Sequence, residues 1–154
     1  QNLKIDQKEE VDLKLQKMSN PKDRLAYIIF KTKDGTKDTL QIHESGESGW
    51  ESFEQNFKED TTCIVLFRFL LENFKSPRIS LLVWVGERVR TWHRVQIASI
   101  GMQLREYLTS IQMQCHVFIN GCNKQELNMD VIKLRLEKSG GIQFDQIEQD
   151  GLPK

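Results

Sequence analysis

The sequence predicts an α/β (α+β) fold, a mixed β-sheet with helices on both faces, and three observations predict it. Residues 63–71 (CIVLFRFLL) and 79–85 (ISLLVWV) are almost continuously apolar, the pattern of central strands covered on both sides. Between residues 91 and 112, Ile97, Ile100, Leu104, Leu108 and Ile111 recur at three-to-four spacing, which marks a long helix lying on that sheet. A further short apolar run, 115–119 (CHVFI), follows the helix, so the helix is read as a crossover to a strand parallel to the one before it. With 154 residues the chain has the size of one domain.

The remaining elements follow in order. Residues 6–18 (DQKEEVDLKLQKM) open on an aspartate placed to cap a helix, with acids in the first turn, lysines later, and Val11 and Leu15 four apart. Ser19 to Arg24, with Pro21, ends that helix. Residues 25–33 (LAYIIFKTK) and 39–43 flank the turn dipeptide Asp34-Gly35 and form a hairpin. Residues 44–49 (ESGESG) read as a polar loop, and Trp50, Phe53 and Phe57 as one face of a second amphipathic helix over 50–57. A turn over 73–77 separates the two apolar strands, and Gly121 to Lys124 is a turn after the last. A final helix is expected over 126–138, with Leu127, Val131 or Ile132, and Leu134 or Arg135 in its turns. Gly140-Gly141 caps it, and a short extended end at 142–144 and a loose polar tail follow.

Composition excludes several classes of function. Lys+Arg and Asp+Glu both number 22, so the formal net charge is +0 and points to neither nucleic acid nor a lipid surface. No signal-like h-region or apolar run long enough for a membrane is present, which makes a cytoplasmic protein the expectation. The chain opens at Gln1 rather than methionine, as a processed or trimmed product would. The 3 cysteines, Cys63, Cys115 and Cys122, have no CxxC spacing. Cys115 and His116 point to opposite faces of a strand, and no second pair completes a zinc site with Cys122, so no metal is expected. No serine sits in a GxSxG-like elbow. Gly46 and Gly49 lack the lysine of a phosphate-binding loop, and Gly86 lacks the further glycines of a dinucleotide turn. No catalytic residue and no cofactor is expected, and the chain is read as a non-enzymatic binding module. A redox role for Cys115 and Cys122 is the weaker alternative.

The surface of the long helix holds the informative residues. At 100° per residue, Trp92, Val95 and Met102 lie opposite the core stripe, with Ser99, Gln103 and Glu106 among them. Two readings stand. Either a loop or the N-terminal helix covers these residues, or they form an exposed anchor for a protein partner. Lys75, Arg78, Arg88, Arg90 and Arg94 bracket the preceding strand and the start of the helix, and are read as a positive rim suited to an acidic partner.

The segments RISLLVWVGERV (78–89), CIVLFRF (63–69) and KSGGIQFD (138–145), with the order of elements, resemble the actin-depolymerising-factor homology (ADF-H) domain, and the WxGE after a strand resembles its coactosin branch. The resemblance spans residues 5–148 and leaves 149–154 as a polar tail. It implies a cofilin-like domain with a mixed sheet of five or six strands, no enzymatic activity, and binding to F-actin along the filament side, in the cytoplasm and cytoskeleton. Actin-binding positions carried over by the resemblance are Lys75, Arg78, Arg105 and Lys138. Two positions on the long helix where coactosins place lysines hold Gln96 and Gly101 here, which implies weaker filament contact, with Trp92 and Met102 as a substitute apolar anchor. The alternative is a diverged domain that has become a structural subunit of another cytoskeletal assembly, microtubule-based or axonemal, docking through Trp92. No nucleic acid or membrane partner is expected, and the domain by itself is expected to be monomeric.

Overall fold

The computed structural model describes residues 3–47, 49–52, 54–70 and 77–140. Six strands, β1 (Lys4–Ile5), β2 (Tyr27–Thr32), β3 (Thr39–Gly46), β4 (Thr62–Phe69), β5 (Arg78–Val85) and β6 (Val117–Gly121), form one sheet in the order β1-β3-β2-β4-β5-β6. The centre is antiparallel, β2 with β3 and β4, and β4 with β5. Both edges are parallel: β1 joins β3, and β6 joins β5 with Ser80 opposite Val117 and Trp84 opposite Gly121. The parallel crossover expected from the sequence is α2 (Thr91–Ser110).

Two cores lie on opposite sides of the sheet. Alternation along β4 sends Ile64 and Leu66 to one side, where α1 (Lys8–Ser19) and α2 cover them, and Val65, Phe67 and Phe69 to the other. On that second side lie Trp50, Phe57 and α3 (Met129–Gly140), whose Ile132 and Leu136 are fully buried. Double coverage is why β4 and β5 read as continuous apolar runs.

Several elements differ from their sequence reading, each for a local reason. Asp6 does not cap α1: its backbone N–H donates to Leu40 O at 2.8 Å and its carboxylate pairs with Lys33, because residues 4–5 form the unexpected edge strand β1. Gln7, in the left-handed region at φ 51, starts α1 instead. The stretch read as a loop from Glu44 continues β3 to Gly46, because β2 is long enough to pair with it, Tyr27 against Gly46. The segment forms two short 3-10 turns, Trp50–Ser52 and Glu54–Asn56, rather than one helix, and Phe57 directly follows the second. Both rings face the sheet: Phe57 stacks on Trp84 with centroids 4.9 Å apart, and Trp50 meets Phe57 edge-on at 5.5 Å. Ile111 is 40% exposed, since α2 ends at Ser110 and the chain turns away there. α3 begins at Met129 rather than 126, because the Asn128 side chain accepts the Val131 N–H at 3.0 Å and caps it there. Gly140 is the last residue of α3, and the expected cap at Gly141, the extended end at 142–144 and the tail lie outside the described residues. So do Phe53 and most of the turn at 73–77.

Candidate functional site

The long helix α2 leaves the sheet end at Val85 and runs back toward the start of β6. Its inward face is Ile97, Ile100, Gly101, Leu104 and Leu108. Its outward face carries Trp92, Val95 and Met102, exposed to 59%, 66% and 56%. Nothing among the described residues covers this ridge. The N-terminal helix lies instead on the flank of α2, tied there by a hydrogen bond from the Tyr107 hydroxyl to the Asp12 carboxylate and by Lys8 Nζ 5.5 Å over the Tyr107 ring. The same burial and hydrogen bond push the Tyr107 pKa up to about 12. Beside the ridge runs a shallow groove lined by Leu3, Lys37, Asp38, Trp92, Val95 and Gln96.

Gly101 and Gln96 acquire different meanings from those the resemblance implies. Gly101 is buried against β5, and a Cβ there would stand 2.7 Å from Val83 Cγ2, so no lysine can replace it without opening the helix–sheet contact. The cost of glycine in a helix is the condition for close packing rather than a weakness at a binding face. Gln96 donates its side-chain amide to the Lys37 carbonyl and ties α2 to the turn between β2 and β3.

The basic residues divide into two groups. Arg94, read as part of a positive rim, instead clips the loop before its own helix, with Nε donating to Val89 O at 2.9 Å and Nη2 to Gly86 O at 3.0 Å and Glu87 O. Arg88 pairs with Glu59 across exposed surface at 3.9 Å, and Arg90 is exposed. Arg78 and Arg105, far apart in sequence, come to the edge of the sheet at β6. Arg105 is exposed, with its guanidinium 5.3 Å from the Phe118 ring centroid. The charge of Arg105 acts on Cys115, and that of Arg78 on the adjacent His116. Lys138 is exposed in the last turn of α3. Lys75 falls outside the described residues.

His116 was read only as a discarded zinc ligand, yet it organises this edge. Its backbone N–H donates to Ile79 O at 2.8 Å, and its Nδ1 accepts the Ile79 N–H at 2.9 Å. The imidazole replaces a ladder carbonyl, so β6 begins at Val117 rather than Cys115. Burial first, and then the charge of Arg78, push its pKa down to about 4 from 6.5. With the folded pKa below the unfolded one, the neutral ring contributes fully above about pH 6.5, and that contribution is lost as the pH falls toward 4. The expected loss is roughly 2 kcal/mol, after allowance for the part of the ring still in water. Denaturant midpoints measured from pH 7 to 4 should fall less steeply for His116→Asn, whose amide oxygen can still accept the Ile79 N–H. An unchanged slope would assign the acid sensitivity to other groups.

The three cysteines are free thiols, two of them buried, and each has a raised pKa. Burial pushes the Cys63 thiol up to about 12 and raises Cys115, and the hydrogen bond from the Cys122 thiol to the Glu126 carboxylate, at 3.0 Å, raises Cys122. A raised pKa disfavours the thiolate, which is the reactive form. Among the described residues no group of three or more His, Cys, Asp and Glu could hold a metal ion, and no helix is long and apolar enough to cross a membrane.

The most informative residue missed in the sequence is Arg68. It lies wholly buried in β4, with Nη1 donating to Met18 O at 3.3 Å and Asn20 O at 2.8 Å and Nη2 to Asp23 O. It ties the central sheet to the end of α1. A single arginine inside CIVLFRFLL was the available signal.

A family model for cofilin/tropomyosin-type actin-binding proteins matches residues 4–137. The chain belongs to that family. The human coactosin-like protein is 26% identical over 104 residues, 65% of this chain and 70% of that protein. The solution structure of human coactosin-like protein bearing D123N superposes with a TM-score of 0.72 at 22% identity, covering 96% of this chain and 99% of that one. Mouse coactosin, described as an actin filament binding protein, superposes with a TM-score of 0.65 at 21% identity, covering 93% and 96%. The six-stranded mixed sheet with helices on both faces is therefore the ADF-H fold, of coactosin type, in a family of actin-binding cytoskeletal proteins.

Proposed function

We propose that this domain binds actin filaments as a non-enzymatic cytoplasmic module of the coactosin type, acting from residues 5–148. The observation that carries the reading is the family match across residues 4–137, combined with the approach of Arg78 and Arg105 to one sheet edge. Arg78, Arg105 and Lys138, with Lys75, supply positive charge for an acidic filament surface. Charge of this kind speeds encounter and sets register, so binding weakens as salt rises.

High-speed cosedimentation with actin filaments at low and moderate salt tests the reading. Arg105→Glu, at an exposed position, is expected to reduce pelleting at least tenfold while thermal unfolding stays unchanged. Arg78→Glu should abolish it, with circular dichroism checking that the half-buried site tolerates the change. Salt-insensitive pelleting, or full binding by both variants, would remove these residues from the site. The uncovered Trp92 ridge favours a second reading, in which the domain is an interaction subunit of another cytoskeletal assembly. In that case pelleting with actin is absent at either salt.

A further inference from the structure

The last turns of α1 and α2 enclose a cavity, and we infer that it is a binding site for a small primary ammonium ion carrying an aliphatic chain. Its volume of about 380 Å³ falls within the ~300–1,000 Å³ of small-molecule sites. Asp12 meets α2 at Tyr107, and further along both helices Leu15 and Ser19 share the cavity wall with Ile111 and Met113. The two helices therefore run in the same direction, and both present their carbonyl ends here. Leu15 and Met113 are buried and form an apolar floor, while Ile111 stands 40% exposed at the mouth.

Charge selects a cation for this cavity. Asp12 is the one charged residue among those lining it, and the negative end of the α2 dipole adds to that carboxylate. α1 shows how such an end is satisfied in this protein: the buried Arg68 guanidinium donates to Met18 O and Asn20 O. No basic residue lies in the last turn of α2 or lines the cavity. Lys14 is turned to the other flank of α1, donating to Ser45 Oγ at 2.9 Å, and Lys8 lies over the Tyr107 ring, earlier along both helices. A ligand ammonium supplies at the end of α2 what Arg68 supplies at the end of α1.

The polar atoms suit that head group. An alkylammonium has three N–H donors. Asp12 accepts one, besides the Tyr107 hydroxyl that it already accepts, and the side-chain oxygens of Gln16, Ser19 and Gln112 are acceptors for the others. Ser19 Oγ gives its own proton to Leu15 O at 3.1 Å, which leaves its lone pairs for the ligand. The aliphatic chain then lies on Leu15, Ile111 and Met113, away from water. A single carboxylate matches a single positive charge.

The test uses n-hexylammonium as probe, with n-hexanol and hexanoate as the uncharged and anionic forms of the same chain, and needs no actin. Titrated into isotope-labelled protein and followed by amide NMR, hexylammonium is expected to move the signals of residues 12–19 and 108–113 to saturation, with a Kd of about 1 mM for so small a ligand. Hexanol should bind about tenfold more weakly, and hexanoate should not bind. Asp12→Asn keeps an acceptor for the Tyr107 hydroxyl and should weaken hexylammonium about tenfold while leaving the hexanol shifts unchanged. Gln112→Lys, at an exposed position, brings a tethered ammonium to the same cavity and should abolish hexylammonium binding with no loss of stability. Shifts that do not saturate, or that scatter over the whole surface, overturn the proposal. Hexanol binding as tightly as hexylammonium overturns it as well, reducing the cavity to an apolar cleft. So does wild-type hexylammonium affinity in a folded Asp12→Asn. If Asp12→Asn does not fold, Gln112→Lys decides, and wild-type affinity in that variant overturns the proposal.

Discussion

Arg68→Ala is expected to destabilise the domain by about 3 kcal/mol, read as a lower denaturant midpoint with an unchanged m-value. The side chain is fully buried, and burial lowers its pKa, so the charge is held at the expense of lost hydration. What holds it is the set of carbonyls of Met18, Asn20 and Asp23, where α1 ends and turns into β2. Helix ends leave carbonyls without partners, and a cation placed there satisfies them and complements the negative end of the helix dipole. Truncation removes these bonds, leaves carbonyls buried, and opens a cavity where the side chain lay. Arg68→Lys keeps the charge but not the fork and should recover only part of the loss. Arg68→Ala with wild-type stability would mean that α1 is held by its apolar contacts alone.

Gly86→Ala is expected to cost about 3 kcal/mol as well, or about 10 °C in Tm. A glycine is needed here for space, not for an unusual dihedral. A Cβ at residue 86 would lie 2.1 Å from Glu59 O and 2.4 Å from Lys58 O, and both atoms belong to backbone. That backbone cannot easily retreat. Gly86 N–H donates to Thr61 O at 3.0 Å, Arg88 N–H to Glu59 O at 2.8 Å, and the Trp84 indole to Lys58 O at 2.7 Å. The Arg94 guanidinium holds the other side of the same turn through the carbonyls of residues 86, 87 and 89. The run VGERVR, with its glycine and arginines, thus joins a strand to a helix through a tightly packed backbone junction. A differential scan showing Gly86→Ala within about 1 °C of wild type would imply that the 58–60 loop yields freely.

The central strands and the long helix were legible because their signals are local. Continuous apolar runs identify strands buried on both faces, and the spacing of Ile97, Ile100, Leu104 and Leu108 identifies the buried face of a helix, whatever lies against them. The weak signals failed where a partner from elsewhere decided the outcome. Two residues became β1 because Leu40 accepts from Asp6, and the segment from Trp50 to Phe57 took short 3-10 turns because Phe67 and Trp84 receive the rings of Trp50 and Phe57.

For the site, sequence supplied the inventory: the exposed residues of α2, the arginines, and the family resemblance that the match over residues 4–137 bears out. Its periodicity fixed which residues lie opposite the core stripe, since a helix presents side chains at fixed angles. Whether anything covered them was settled only in three dimensions, by α1 docking on the flank at Tyr107 and leaving Trp92, Val95 and Met102 open. The tertiary structure also separated arginines that look alike in sequence: Arg94 holds a loop, Arg68 a helix end, and Arg105 faces solvent. It turned Gly101 from a missing lysine into a point of close helix–sheet approach. In each case the deciding atom belongs to a residue distant in sequence, such as Met18 for Arg68 or Val83 for Gly101, and only folding brings such atoms within contact distance.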